Sequence, residues 1–263
     1  MRPRLLVILA LTGLAAGCGP TNHQTYEKYR PVGDALARGV GAVKKAIEAA
    51  PDPAPDAACE KAGLSLNGIV SGEGHERRPS TGNTELVAYH DLAAPAGRQW
   101  SDSMHDLETR NPTAYMLAVS GPSSTVARFY RWFQPGGDFV GGGSSASDRT
   151  SKETLDGLER VKGVRYLLVT RAAPVAAPAE TRFALFLTEF PDGKAVCGFS
   201  VAGQPDPEAK NESYRLMNRR TGQIVGGGVT DAVGRSSRRN ALAALRAQLK
   251  RRFGLALPRY IGE

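Results

Sequence analysis

Three apolar runs in the second half of the chain constrain its architecture more than any other feature. "VRYLLVTR" (164–171), "TRFALFLTEF" (181–190) and "KAVCGFSVAG" (194–203) each have the length and the β-branched and aromatic content of a strand. The last two flank Pro191-Asp192-Gly193, so a hairpin is expected there, and the first reads as a central strand. A second pair, "SYRLMNRR" (213–220) and "QIVGGGV" (223–229), flanks Thr221-Gly222 in the same way. Strand runs with helical segments on either side in the sequence predict an α+β fold: an antiparallel or mixed sheet with helices packed on one face.

The helical segments follow from spacing. Val32, Leu36, Val40, Val43 and Ile47 recur at steps of four, four, three and four, which predicts an amphipathic helix over 30–50 that docks on the main domain. "PDPAPDA" (51–57) ends it as a stiff linker. "TVARFYRWF" (125–133) allows a helix presenting Val126, Phe129, Trp132 and Phe133 to the core. Thr150 and Glu153 form a capping box ahead of Leu155, Leu158 and Val161, with Gly163 as the stop. Leu242, Leu245, Leu249 and Phe253 mark a final helix from Ser236, closed by Gly254. "ELVAYH" (85–90) reads as a short strand, "AYMLAVS" (114–120) as a buried one, Ser103 with Asp106 as a capping pair, and "SGEGHERRPSTGNTE" (71–85) as loop.

The start of the chain has a different character. Behind Arg2 and Arg4 comes an apolar run, Leu5 to Ala16, too short to span a bilayer, and then Gly17-Cys18. This layout resembles the signal peptide and lipobox of bacterial lipoproteins, with Ala15 where that family most often has leucine. The resemblance implies a cleaved signal peptide over 1–17 and acylation of Cys18 with fatty chains such as palmitate, followed by a lipidated tether over 18–29. Each buried methylene of such chains contributes about 0.8 kcal/mol to membrane attachment. Gly19 in the sorting position implies the outer membrane where one exists. A single α+β domain is then expected over 58–263, exported to the periplasm and held at a membrane through its lipid.

In an oxidising compartment the remaining two cysteines, Cys59 and Cys197, suggest a disulfide, worth about 4–5 kcal/mol in the chain-entropy account. The net charge of +8 suits anionic lipid headgroups or an acidic envelope protein; nucleic acid is not an expected partner of an exported chain. The sharpest basic feature is the last helix, where Arg235, Arg238, Arg239, Arg246 and Lys250 suggest an anion-facing patch.

Motifs for chemistry are weak. "GFSVAG" (198–203) resembles a nucleophile elbow, but Gln204-Pro205-Asp206-Pro207 prevents the helix that should follow Ser200. The glycine clusters 141–143 and 226–228 lack the lysine and hydroxyl that end a phosphate-binding loop. His90-Asp91 and His105-Asp106 are single adjacent pairs, a spacing that rarely chelates, and His75 lies in loop chemistry. No catalytic residue, metal site or cofactor is therefore assigned. The sequence favours a non-enzymatic binding or assembly role, with an envelope hydrolase or metal-dependent enzyme using His90, His105 and nearby carboxylates as the alternative.

Overall fold

The computed structural model describes residues 19–71, 77–93, 124–137, 139, 148–172, 180–218, 220–230 and 232–257. In chain order the elements are α1 (Asn22–Ala49), β1 (Gly68–Ser71), β2 (Arg77–Ser80), β3 (Thr84–Ala88), α2 (Tyr89–Ala93), α3 (Thr125–Trp132), α4 (Lys152–Val161), β4 (Tyr166–Ala172), β5 (Thr181–Glu189), β6 (Ala195–Gly203), β7 (Ser213–Met217), β8 (Ile224–Val229) and α5 (Ala232–Phe253). Helices and strands are combined in an α+β fold around a four-stranded mixed sheet of order β3-β4-β5-β6. β3 runs parallel to β4; the other two pairings are antiparallel, with Phe190–Gly193 at the β5–β6 turn.

The sheet is covered on both faces, not on one as the sequence suggests. Leu167, Val169, Ala184 and Phe186 pack with α1, α3 and α4 through Leu36, Val40, Val43, Phe129 and Leu158. Leu168, Phe183, Leu185, Leu187, Phe199 and Val201 pack with Leu242, Leu245, Leu249 and Phe253 of α5. The reason lies in β4 and β5, whose apolar residues are consecutive rather than alternating. Side chains alternate faces along a strand, so an unbroken run demands cover on each side.

α1 begins at Asn22, not at residue 30, and 22–29 are its first turns rather than a tether. Thr21 accepts from the Gln24 amide while the Gln24 side chain accepts from the Thr21 amide, a reciprocal cap. Buried Thr25 and Tyr29 extend the inward stripe of Leu36, Val40, Val43 and Ile47 toward the N-terminus. A hydroxyl stands where an apolar side chain would have signalled the stripe: Thr25 is buried because its Oγ1 meets that of Thr150 at 2.7 Å. That contact also explains a second difference. α4 is capped by Ser151, which accepts from the Thr154 amide, while Thr150 faces α1.

Three further boundaries shift. β2 lies inside the stretch read as loop and pairs with β1. β3 ends at Ala88, so Tyr89 and His90 open α2. α5 starts at Ala232, one turn before Ser236. Residues 1–18, the strand read at 114–120, Ser103, Asp106, His75, His105 and the glycines 141–143 lie outside the described residues.

Cys59 and Cys197 are joined, with Cα atoms 5.2 Å apart at a sequence separation of 138. The 51–57 segment is fastened rather than loose. Arg171 donates to the carbonyls of Ile47 and Ala50 and pairs with Asp52 at 2.7 Å; Arg252 donates to the carbonyls of Pro55 and Ala57. Among the described residues no helix is long and apolar enough to cross a membrane.

Candidate functional site

The catalytic alternative rests on histidines and carboxylates. His90 is half-buried in the first turn of α2, a helix of a single turn and a half. Burial raises the Asp91 carboxyl above its ordinary range, against the pull of Arg131 and His90. Its intended partners His105 and Asp106 are outside the described residues. Among those described, no three His, Cys, Asp or Glu side chains converge in a way that could hold a metal ion. Ser200 lies within β6, buried, with continuing strand after it rather than a helix.

Glu85, which sequence reasoning passed over, is the most unusual carboxylate. It is fully buried in β3 beneath the start of α3. It accepts from Asn67 Nδ2 at 2.6 Å, Ser124 Oγ at 2.7 Å, the Val126 amide at 2.9 Å, and Thr125 Oγ1. Burial raises its pKa, and those four donors oppose the rise. A carboxylate at a helix N-terminus answers the exposed amides and the positive end of the dipole. Glu85 therefore joins α3 to the sheet, and its oxygens face protein donors rather than an open cleft. The one signal in the sequence was an acid directly ahead of the apolar run Leu86-Val87-Ala88.

The basic residues of α5 divide by role. Arg235, Arg239, Arg246 and Lys250 follow one another at steps of four, seven and four, so they share one flank; all but half-buried Arg246 are exposed. Arg239 pairs with Asp206, which also accepts from Asn240 Nδ2. Arg238 is half-buried on a different side of the helix. Arg252, outside the expected patch, is structural: its guanidinium lies 4.6 Å from the centre of the Phe199 ring while it holds the 55–57 carbonyls.

Among the described residues, the exposed large apolar side chains gather on the β7–β8 hairpin, Val196 of β6 excepted. Every residue of both strands is exposed. Tyr214, Leu216, Met217, Ile224, Val225 and Val229 are 46% to 65% exposed, unusual for six large apolar side chains in one short unit. Register explains the glycines opposite them. Tyr214 faces Gly228 and Leu216 faces Gly226. A Cβ on Gly228 would come within 3.0 Å of the Tyr214 hydroxyl, so its absence lets the ring lie across the neighbouring strand. Arg215 and Arg220 are exposed on the same hairpin, and residues 213–230 contain no Asp or Glu.

The opposite feature is the beginning of the described chain. The Gly19 carbonyl accepts from Arg149 Nη1 at 2.7 Å, the Pro20 carbonyl from the Thr150 amide at 2.8 Å, and the Asn22 amide donates to the Asp148 carbonyl at 2.8 Å. Backbone and side chain together hold residues 19–22 against the body. Comparison with known protein families, with characterised proteins and with solved structures finds no match.

Proposed function

We propose that this chain is an envelope lipoprotein, exported and attached to a membrane through acylated Cys18, whose α+β domain binds or assembles with another envelope component without catalysing a reaction. The anchor half of this reading rests on the signal-like first eighteen residues. The binding half rests on one observation, the exposed apolar and basic β7–β8 hairpin. Six exposed large apolar side chains on one short unit are uncommon unless something covers them. The held residues 19–22 make the reading more specific. With Gly19 and Pro20 bonded to 148–150, the described chain is fastened to the body from the residue after the proposed anchor, which favours a domain held close to the lipid surface over one on a long leash.

The test is metabolic. Cells expressing the chain are fed a labelled fatty acid, and the mature protein is weighed intact. Label on the protein, a mass beginning at residue 18, and loss of both on Cys18→Ala are expected. An unlabelled chain retaining its first seventeen residues overturns the anchor. Photocrosslinkers at Ile224 and at Arg239 then report whether neighbours meet the hairpin or the α5 flank.

A further inference from the structure

The binding role acquires a specific form from the edge of the hairpin. The β7–β8 ladder closes with the Thr230 amide donating to the Glu212 carbonyl. Partner residues in an antiparallel ladder alternate between hydrogen-bonded and non-hydrogen-bonded pairs. Counting from Glu212 and Thr230, Tyr214–Gly228 and Leu216–Gly226 are bonded pairs, and the amides and carbonyls of Gly227 and Val229 point away from β7. They form an open row, since no third strand joins this sheet among the described residues. Three consecutive glycines leave that edge bare of side chains, and a glycine run in a strand is characteristic of close approach by another backbone.

We propose that β8 receives an extended segment of a partner protein as an added strand, and that this segment carries acidic residues between apolar ones. Main-chain pairing would provide the affinity and alternate side chains the selection. Tyr214 and Leu216, lying across Gly228 and Gly226, extend the apolar face to the edge where the new strand arrives. Arg215 and Arg220, with no acid between 213 and 230, supply the complementary charge. Two other occupants fit less well. Bilayer hydrocarbon offers no partner for the open edge amides and carbonyls. A second copy would bring the same arginines, with its nearest acid, Glu212, confined to the closing pair of the ladder.

This inference deepens the binding reading and is independent of the anchor. The test uses the full chain in detergent micelles and a blocked ten-residue peptide alternating valine or threonine with glutamate, alongside its lysine counterpart. Titration by fluorescence anisotropy is expected to show the glutamate peptide binding at least about tenfold more tightly. Reversing charge with Arg215→Glu and Arg220→Glu should invert that preference. Val229→Pro removes an outward amide at an edge position that tolerates proline, so it should abolish binding of both peptides while β7–β8 stays paired. Equal affinity for the two peptides overturns the proposal, as does binding indifferent to Val229→Pro. Hairpin-dependent binding to phosphatidylglycerol vesicles alone, or hairpin-dependent dimerisation alone, overturns it in favour of lipid or a second copy. In any of these cases a crosslink at position 239 leaves the broader binding role standing, and the fatty-acid label decides the anchor separately.

Discussion

The two hairpins of this protein, β5–β6 and β7–β8, carry the same kind of sequence signal and have opposite fates. Each is a pair of apolar-rich runs around a glycine-bearing turn, with Gly193 and Gly222 both at positive φ. In β5–β6, six consecutive residues of β5 are buried, α1 and α5 cover the two faces, and Cys197 ties β6 to the segment after the linker. In β7–β8 nothing is buried. An isolated two-stranded hairpin is marginal in water, so β7–β8 depends on local devices such as Tyr214 over Gly228 and on what it meets. The contrast separates residues that build the molecule from residues available to a partner.

Substitutions can break or sharpen that contrast. The largest effect belongs to Phe199→Ala in β6, where a fully buried ring against Phe253 and the Arg252 guanidinium is lost; a loss of about 3–5 kcal/mol is expected from urea unfolding. Next is the Cys59–Cys197 bridge. Replacing both with serine should cost about 2–5 kcal/mol, with loop restraint in the unfolded chain setting the upper end. A reduced protein as stable as the oxidised one would show that β5–β6 owes its order to packing alone.

A subtler effect is expected from pH. The folded pKa of Glu85 is raised, so between the ordinary carboxylate value and that raised value the folded chain binds more protons than the unfolded one. Stability contributed through this group is therefore greatest below the ordinary value and declines as pH rises through the window. Glu85→Gln should flatten that decline in urea midpoints measured at successive pH values; an unchanged slope would assign it to other groups. The smallest effect is expected in the exposed hairpin. Leu216→Ser should move stability by no more than about 0.5 kcal/mol while reducing binding of a hydrophobic dye. A larger destabilisation would mean β7–β8 supports the fold after all.

Much of this architecture is legible without coordinates. The turn at Pro191-Asp192-Gly193, the stripe of α1 from Val32 onward, the stop at Gly254 and the pairing of Cys59 with Cys197 follow from local chemistry and counting. What was not legible depended on polar residues buried by distant partners. Thr25 is inward because Thr150 meets it, and Thr150 faces α1, leaving the capping of α4 to Ser151. Glu85 could be noticed as an acid opening the apolar run 86–88, but its role required Asn67 and the start of α3 to arrive around it. The expected basic patch on α5 is divided in the structure, since Arg239 meets Asp206 and Arg238 lies half-buried on a different side of the helix.

By itself the sequence determined α1 from Val32 onward, the strands β4 to β8, α3, α4 and α5, and that the central strands are apolar at consecutive positions, because propensity, turn chemistry and periodicity act over a few residues. Only the tertiary structure decided that both faces of the sheet are covered, that residues 19–22 are bound to the body, and that the second hairpin is left bare. Those outcomes depend on which surfaces meet across more than a hundred residues of chain, as Gly19 meets Arg149, and no local pattern encodes such a meeting.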